Sequence, residues 1–255
     1  MGQVHNFSRR YSDSKIIKTY ILAGQSNALG WSTAAVSSLS TILKSPVNHA
    51  SIFNPVTGKI ETLLAGSNNQ ALSILYHGIE VNFCYQMTTL MGEEVCLIKY
   101  GVGGTYLAND GTDNCWAISR PTGLYNTLKT YVTNAIAEAL SLNITLDFVA
   151  MLWYQGEADA QNLTYANAYN ANLTGFIAQS KIDFGISKFV IIRVHDIAIY
   201  TYSSIVRAAQ NAIATGDSDV DLIDTDPYEP TVVHPNSSSY NSIGLDCANL
   251  ARYYT

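Results

Sequence analysis

Several residues with the chemistry of acyl transfer stand where apolar runs of this 255-residue chain end. Ser26 lies in Gly24-Gln25-Ser26-Asn27, directly after the run from Ile16 to Leu22. Gly103 and Gly104 follow the run Glu94 to Tyr100. Gln155, Glu157 and Asp159 follow Leu146 to Tyr154. His234 lies beyond the last apolar run, Val220 to Asp224. A hydroxyl, exposed backbone amides, a side-chain amide, carboxylates and an imidazole are the parts that a serine nucleophile, its base and an oxyanion hole require. Ser26 is the candidate nucleophile, at a strand-to-helix turn where the helix N-terminus favours developing negative charge. The Ser26 amide, the Gly103 amide and the Gln155 side chain are the candidate oxyanion donors, Gly103 because a residue without Cβ lets substrate approach the backbone. His234 is the candidate base that takes the Ser26 proton and returns it to the leaving alcohol.

Each of these residues also has a plainer reading. Ser26 could cap a helix. The glycine pair could be a tight turn, and Glu157 and Asp159 first-turn carboxylates favoured by the helix dipole. The latter is the preferred reading for Asp159. Trp153 and Trp116 could be core or a sugar platform, Trp116 leaning to the platform because it follows the glycine pair. The adjacent His195-Asp196 is not read as a dyad, since neighbouring strand residues point to opposite faces.

The elements that must carry these residues follow from hydrophobic patterning. Strands over 16–22, 94–100, 146–154, 188–194 and 220–224 alternate with helices over 71–91, 124–142, 161–179, 202–215 and 240–253. Such alternation predicts an α/β fold with parallel strands and right-handed crossovers. Ligands of such sheets bind beyond the carboxyl ends of the strands, which is where the residues above fall. Residues 1–15 read as a lead-in, 16–255 as one domain, and 31–68 as a long excursion with short helical pieces.

Composition narrows the function classes. The net charge is −6 and no basic stripe is present, which argues against nucleic acid as a partner. No apolar stretch approaches the ~20 residues of a membrane span. The four cysteines, at 84, 96, 115 and 247, lack CxxC spacing, so neither a zinc nor a redox site is expected and buried thiols are. Charged residues are only 13% and tyrosines number 17, a surface suited to sugars or another protein.

Taken in order, the blocks resemble the SGNH hydrolase superfamily, and within it the sialate O-acetylesterase-like group that includes acetylxylan esterases (carbohydrate esterase family 6-like). The matching pieces are Leu22-Ala23-Gly24-Gln25-Ser26-Asn27, Gly103-Gly104-Thr105 and Trp153-Tyr154-Gln155-Gly156-Glu157-Ala158-Asp159. Weaker matches are Gly123-Leu124-Tyr125-Asn126, Val206 to Gln210, and Ile243-Gly244-Leu245. The resemblance implies a three-layer α/β/α sandwich on a flavodoxin-like five-stranded parallel sheet, with no metal or cofactor. It implies Ser26 as nucleophile, and an oxyanion hole of the Ser26 amide, Gln155 and one glycine of the pair, Gly103 in preference to Gly104. The implied activity is removal of O-acetyl groups from a carbohydrate.

One position departs from the family pattern. The acid usually found three residues before the histidine is Thr231 here. The orienting group is then Glu157, Asp226, Glu229 or a backbone carbonyl, with Glu157 favoured because it follows a rigid strand into the site. Gln25 and Asn27 flank the nucleophile as further site candidates. The departure also admits a non-catalytic glycan-binding or adhesin domain on a degenerate esterase scaffold. The expected partner is an acetylated glycan, in an extracellular, cell-surface or virion-associated setting, with a homo-oligomer or surface assembly left open. Specificity is expected from residues 29–70 and 105–122.

Overall fold

The computed structural model describes residues 14–229 and 232–254. The lead-in, apart from its last two residues, and Thr231 lie outside the described residues.

Seven strands form one sheet: β1 (Lys15–Gly24), β2 (Ala50–Asn54), β3 (Lys59–Thr62), β4 (Val95–Gly101), β5 (Ile144–Tyr154), β6 (Lys188–Ile192) and β7 (Val220–Ile223). Their order is β3-β2-β4-β1-β5-β6-β7. All neighbours pair in parallel except the β2–β3 hairpin. The five expected strands are the β4-β1-β5-β6-β7 core. The hairpin extends the sheet within the stretch expected to be an excursion. Its strands are five and four residues long and sit at the edge, too short to give a periodic signal.

The described residues also form six α-helices: α1 (Ser26–Leu29), α2 (Glu80–Met91), α3 (Leu124–Ser141), α4 (Leu163–Phe184), α5 (Ser203–Gly216) and α6 (Ser237–Ala251). The central strands are apolar on both faces and therefore read as continuous runs. On β1, Ile21 and Ala23 pack in the cluster that contains Leu128 and Val132 of α3 and Leu173 and Phe176 of α4. Tyr20 and Leu22 pack in the opposite cluster, with Phe83 and Met87 of α2 and Ile243 and Cys247 of α6. The result is three layers. Helices α2 and α6 touch at Gly244, where a Cβ would lie 2.6 Å from the Ile79 carbonyl oxygen.

The helix expected over 71–91 begins only at Glu80. Residues 72–77 are instead drawn across the chain that follows α1: Leu72 N donates to Gly30 O, Val36 N to Leu75 O and His77 N to Ala34 O. Tertiary bonds override the local helical spacing there. Caps fix two other helices: the Asn162 side chain accepts from Thr164 N and Tyr165 N at the start of α4, and Asn236 accepts from Ser239 N at the start of α6. All four cysteines are free and buried.

Candidate active site

Strands β1, β4 and β5 end side by side, with Gly24 paired to both Gly101 and Tyr154. Gly24 has φ +146°, and a Cβ there would lie 2.0 Å from the Tyr154 carbonyl oxygen. Only glycine lets β1 close against β5 and turn into α1. Ser26 thus opens a four-residue helix at the carboxyl edge of the sheet. His234 reaches it from the loop between β7 and α6. Ser26 Oγ and His234 Nε2 are 3.1 Å apart, hydrogen-bond distance for a nucleophile and its base. Partial burial holds the His234 pKa below that of an ordinary imidazole, so the ring is neutral and able to accept a proton at neutral pH.

The two atoms line a cleft of about 380 Å³, whose walls include Trp31, Gly103, Tyr106, Gln161 and Tyr200. Trp31 and Tyr106 come from the two irregular segments expected to carry specificity. Neither the Ser26 amide nor the Gly103 amide donates to any described protein group. A Cβ at Gly103 would lie 3.7 Å from Ser26 Cβ, so the two residues adjoin. Theirs are the two backbone amides expected from sequence as oxyanion donors. Gly104, at φ +70°, shapes the turn beside them.

Gln155 does not complete that set. Its side chain is fully buried, and its amide donates to Thr105 O at 2.9 Å and Asp159 Oδ2 at 2.6 Å, while its Oε1 accepts from the Tyr169 hydroxyl. Both hydrogens are spent on the loop that carries the glycines and on the acid that holds it. Asp159, read from sequence as a first-turn carboxylate, is also buried and accepts from the Leu107 and Ala108 amides at 2.9 and 3.1 Å. Burial pushes its pKa up to about 6 against these bonds. Gln155 and Asp159 therefore brace the 103–108 loop against the turn after β5. Gln25 ties in from the other side, its Oε1 accepting from Ala158 N at 3.3 Å.

The acids expected to orient His234 do not touch it. Glu157 is buried, with one oxygen accepting from Asn27 Nδ2 at 2.7 Å and the other without a partner. Burial pushes its pKa up to about 7. Asn27 also donates to the Val233 carbonyl at 3.1 Å and accepts from the Tyr240 hydroxyl. Glu157 thus acts on the histidine loop only through Asn27. Asp226 pairs instead with Arg207 and Arg193, and the Arg207 hydrogen bond holds its pKa low. Glu229 accepts from Asn236 N and Ser239 Oγ at the start of α6. Among the described residues, no carboxylate pairs with His234.

The aromatic at the site is not the one expected from sequence. Trp116 is fully buried and donates to Thr105 Oγ1, edge-on to Trp153, and is no sugar platform. The tryptophan on the cleft wall is Trp31, stacked on His234 with centroids 4.6 Å apart and planes 18° from parallel. The only signal for it was a tryptophan five residues after the nucleophile. His195 is buried, its Nδ1 lying 3.3 Å from Val232 O beneath the same loop. Among the described residues, no group of three His, Cys, Asp or Glu is placed to hold a metal, and no helix is long and apolar enough to cross a membrane.

Residues 17–252 match the family described as carbohydrate esterase, sialic acid-specific acetylesterase. The chain belongs to that family, and so to the carbohydrate esterases. Its fold is similar to that of a protein from Arabidopsis thaliana, with a TM-score of 0.73 at 17% identity over 92% of this chain and 97% of that one. It is similar to NanS, with a TM-score of 0.68 at 12% identity over 94% and 97%. It is similar to the carbohydrate acetylesterase XAC1771 from Xanthomonas citri, with a TM-score of 0.63 at 15% identity over 92% of this chain and 56% of that one. At these identities the likeness is one of fold. No curated protein matches the sequence.

Proposed function

We propose that this chain is a serine-dependent carbohydrate O-acetylesterase. The observation that carries the reading is the 3.1 Å contact between Ser26 Oγ and His234 Nε2 on the wall of a cleft. His234 takes the proton as Ser26 Oγ attacks the acetyl carbonyl. The carbonyl oxygen becomes an oxyanion held by the Ser26 and Gly103 amides. The C–O bond to the sugar breaks, and the imidazolium returns its proton to the departing sugar oxygen. Water, deprotonated by His234, then attacks the acetyl-Ser26 ester, and acetate leaves as Ser26 regains its proton. A cleft with Tyr106 and Tyr200 beside Gln161 offers flat apolar faces and polar atoms, which suits a sugar ring.

The experiment is acetate release from a panel of O-acetylated glycans, sialic acid and xylan included, by the wild type and Ser26→Ala. Release that drops at least ~10²-fold in the variant supports the reading. The absence of a carboxylate on His234 among the described residues favours one second reading, a domain that binds glycan without turning it over. Glycan binding by the folded wild type with no release would establish that one instead.

A further inference from the structure

We infer that Trp31 is a positioning residue for His234: its indole face holds the imidazole toward Ser26 and stabilises the imidazolium formed during turnover. This inference rests on the esterase reading for its kinetic part only. In a three-residue arrangement a carboxylate does both jobs. Here none pairs with His234 among the described residues, and an aromatic face takes the open side of the ring at stacking distance. A cation over an indole face is attracted by the ring quadrupole.

The stack is held from both sides. Gly30, at φ +90°, lies so close to His77 and Gly78 that a Cβ would fall 2.4 Å from their backbone atoms, which fixes the chain entering Trp31. The Leu29 carbonyl is anchored by Lys99 Nζ at 2.7 Å. Ala34 N donates to Trp31 O, closing the turn. Thr33 Oγ1 donates to Pro235 O at 2.7 Å, clamping that turn to the residue after His234. The far edge of the indole meets Gly103, where a Cβ would lie 3.3 Å from Trp31 Cζ3. One side chain therefore spans the base and the oxyanion glycine.

The titratable groups sharing the cleft with His234 are Glu157, Tyr106 and Tyr200. Behind its loop lie His195, at Val232 O, and Glu229, at Asn236 N, with Asp226 and Arg207 beyond. No carboxylate among them pairs with the imidazole, and all of them are the same in the variants compared below, so differences between those variants report on Trp31.

The test compares the wild type, Trp31→Phe and Trp31→Leu in the intact protein. Histidine-selective NMR reads the ring-current shift and titration of His234, assigned by His234→Ala, and p-nitrophenyl acetate kinetics run alongside. Leucine keeps the apolar cover but removes the π face. The wild-type His234 Cε1–H should resonate upfield, and Trp31→Leu should lose that shift. Its His234 pKa should fall below that of Trp31→Phe by about half to one unit. Its kcat should drop about tenfold with little change in KM, and Trp31→Phe should recover most of the loss. A His234 signal and titration indifferent to the Leu change would overturn the inference, as would a rise in KM alone, which would make Trp31 a substrate contact. Because the NMR arm needs no turnover, a wild type inert toward esters would defeat the esterase reading and leave the stack to be judged on its own.

Discussion

Glu157→Gln separates a buried, isolated carboxyl from the acid of a catalytic triad. The wild-type carboxyl has one partnered oxygen and one without, and its pKa rises from 4.5 to about 7, burial being the main cause. A carboxyl with a raised folded pKa binds more protons folded than unfolded between those values, so stability falls as pH rises through that window. With pKa values of 4.5 unfolded and about 7 folded, this one group removes about 2–3 kcal/mol of stability between about pH 5 and pH 8. Glutamine does not titrate. It keeps the bond from Asn27 and leaves its NH2 where the unpartnered oxygen was, a cost of about 1–3 kcal/mol independent of pH. Urea unfolding of both proteins at the two pH values, with slopes checked for equality, isolates the effect of Glu157 together with its coupling to Asp159. The stability of Glu157→Gln relative to wild type should rise by about 2–3 kcal/mol from pH 5 to pH 8. A triad acid held ionised against an imidazolium would have a lowered pKa and the opposite slope. A pH-independent difference, or a relative loss with rising pH, would refute the placement of Glu157 in a buried site away from the imidazole.

Asp159→Ala should cost about 3 kcal/mol in urea unfolding, since it strands the Leu107 and Ala108 amides and the Gln155 side chain; kcat should also fall as the glycine loop loosens, whereas unchanged turnover would show that the loop needs no brace. Lys99→Met should cost about 3–5 kcal/mol, because it leaves Glu80, fully buried and 2.9 Å from Lys99 Nζ, without its counter-ion. Adding Glu80→Leu to that variant should recover part of the loss, and failure to do so would locate the cost in the hydrogen bonds of the pair, from Lys99 to Leu29 O and Asn69 O and from Gly78 N and Asn69 Nδ2 to Glu80, instead of in the stranded charge. In kcat/KM against pH, the acid limb for p-nitrophenyl acetate should have its midpoint below 6.5, since burial favours the neutral His234; a midpoint above 6.5 would indicate a carboxylate partner after all.

The elements legible in the sequence were those buried on both faces. Strands such as β1 and β5 read as apolar runs, and their ends located Ser26, the glycine pair and the Gln155–Asp159 segment. The hairpin β2–β3 and the late start of α2 were not legible, because they depend on pairing with the sheet edge and on backbone bonds to residues 30–36. The same limit applies at the site. Residue types suggested that Gln155 would face an oxyanion and Glu157 an imidazole. Direction decides otherwise: Gln155 turns inward to Thr105 and Asp159, and Glu157 turns to Asn27. A strand end says which residues arrive at the site. It does not say which side chains point into the cleft.

If Ser26 is the nucleophile, it must carry the acetyl group between the two half-reactions. Rapid acid quench of the wild type with an acetyl ester, followed by peptide mass spectrometry, reads this directly. One added acetyl group is expected on the peptide bearing Ser26, absent from Ser26→Ala. No acetyl-peptide during demonstrable turnover, or the acetyl on another side chain, would contradict the assignment of Ser26.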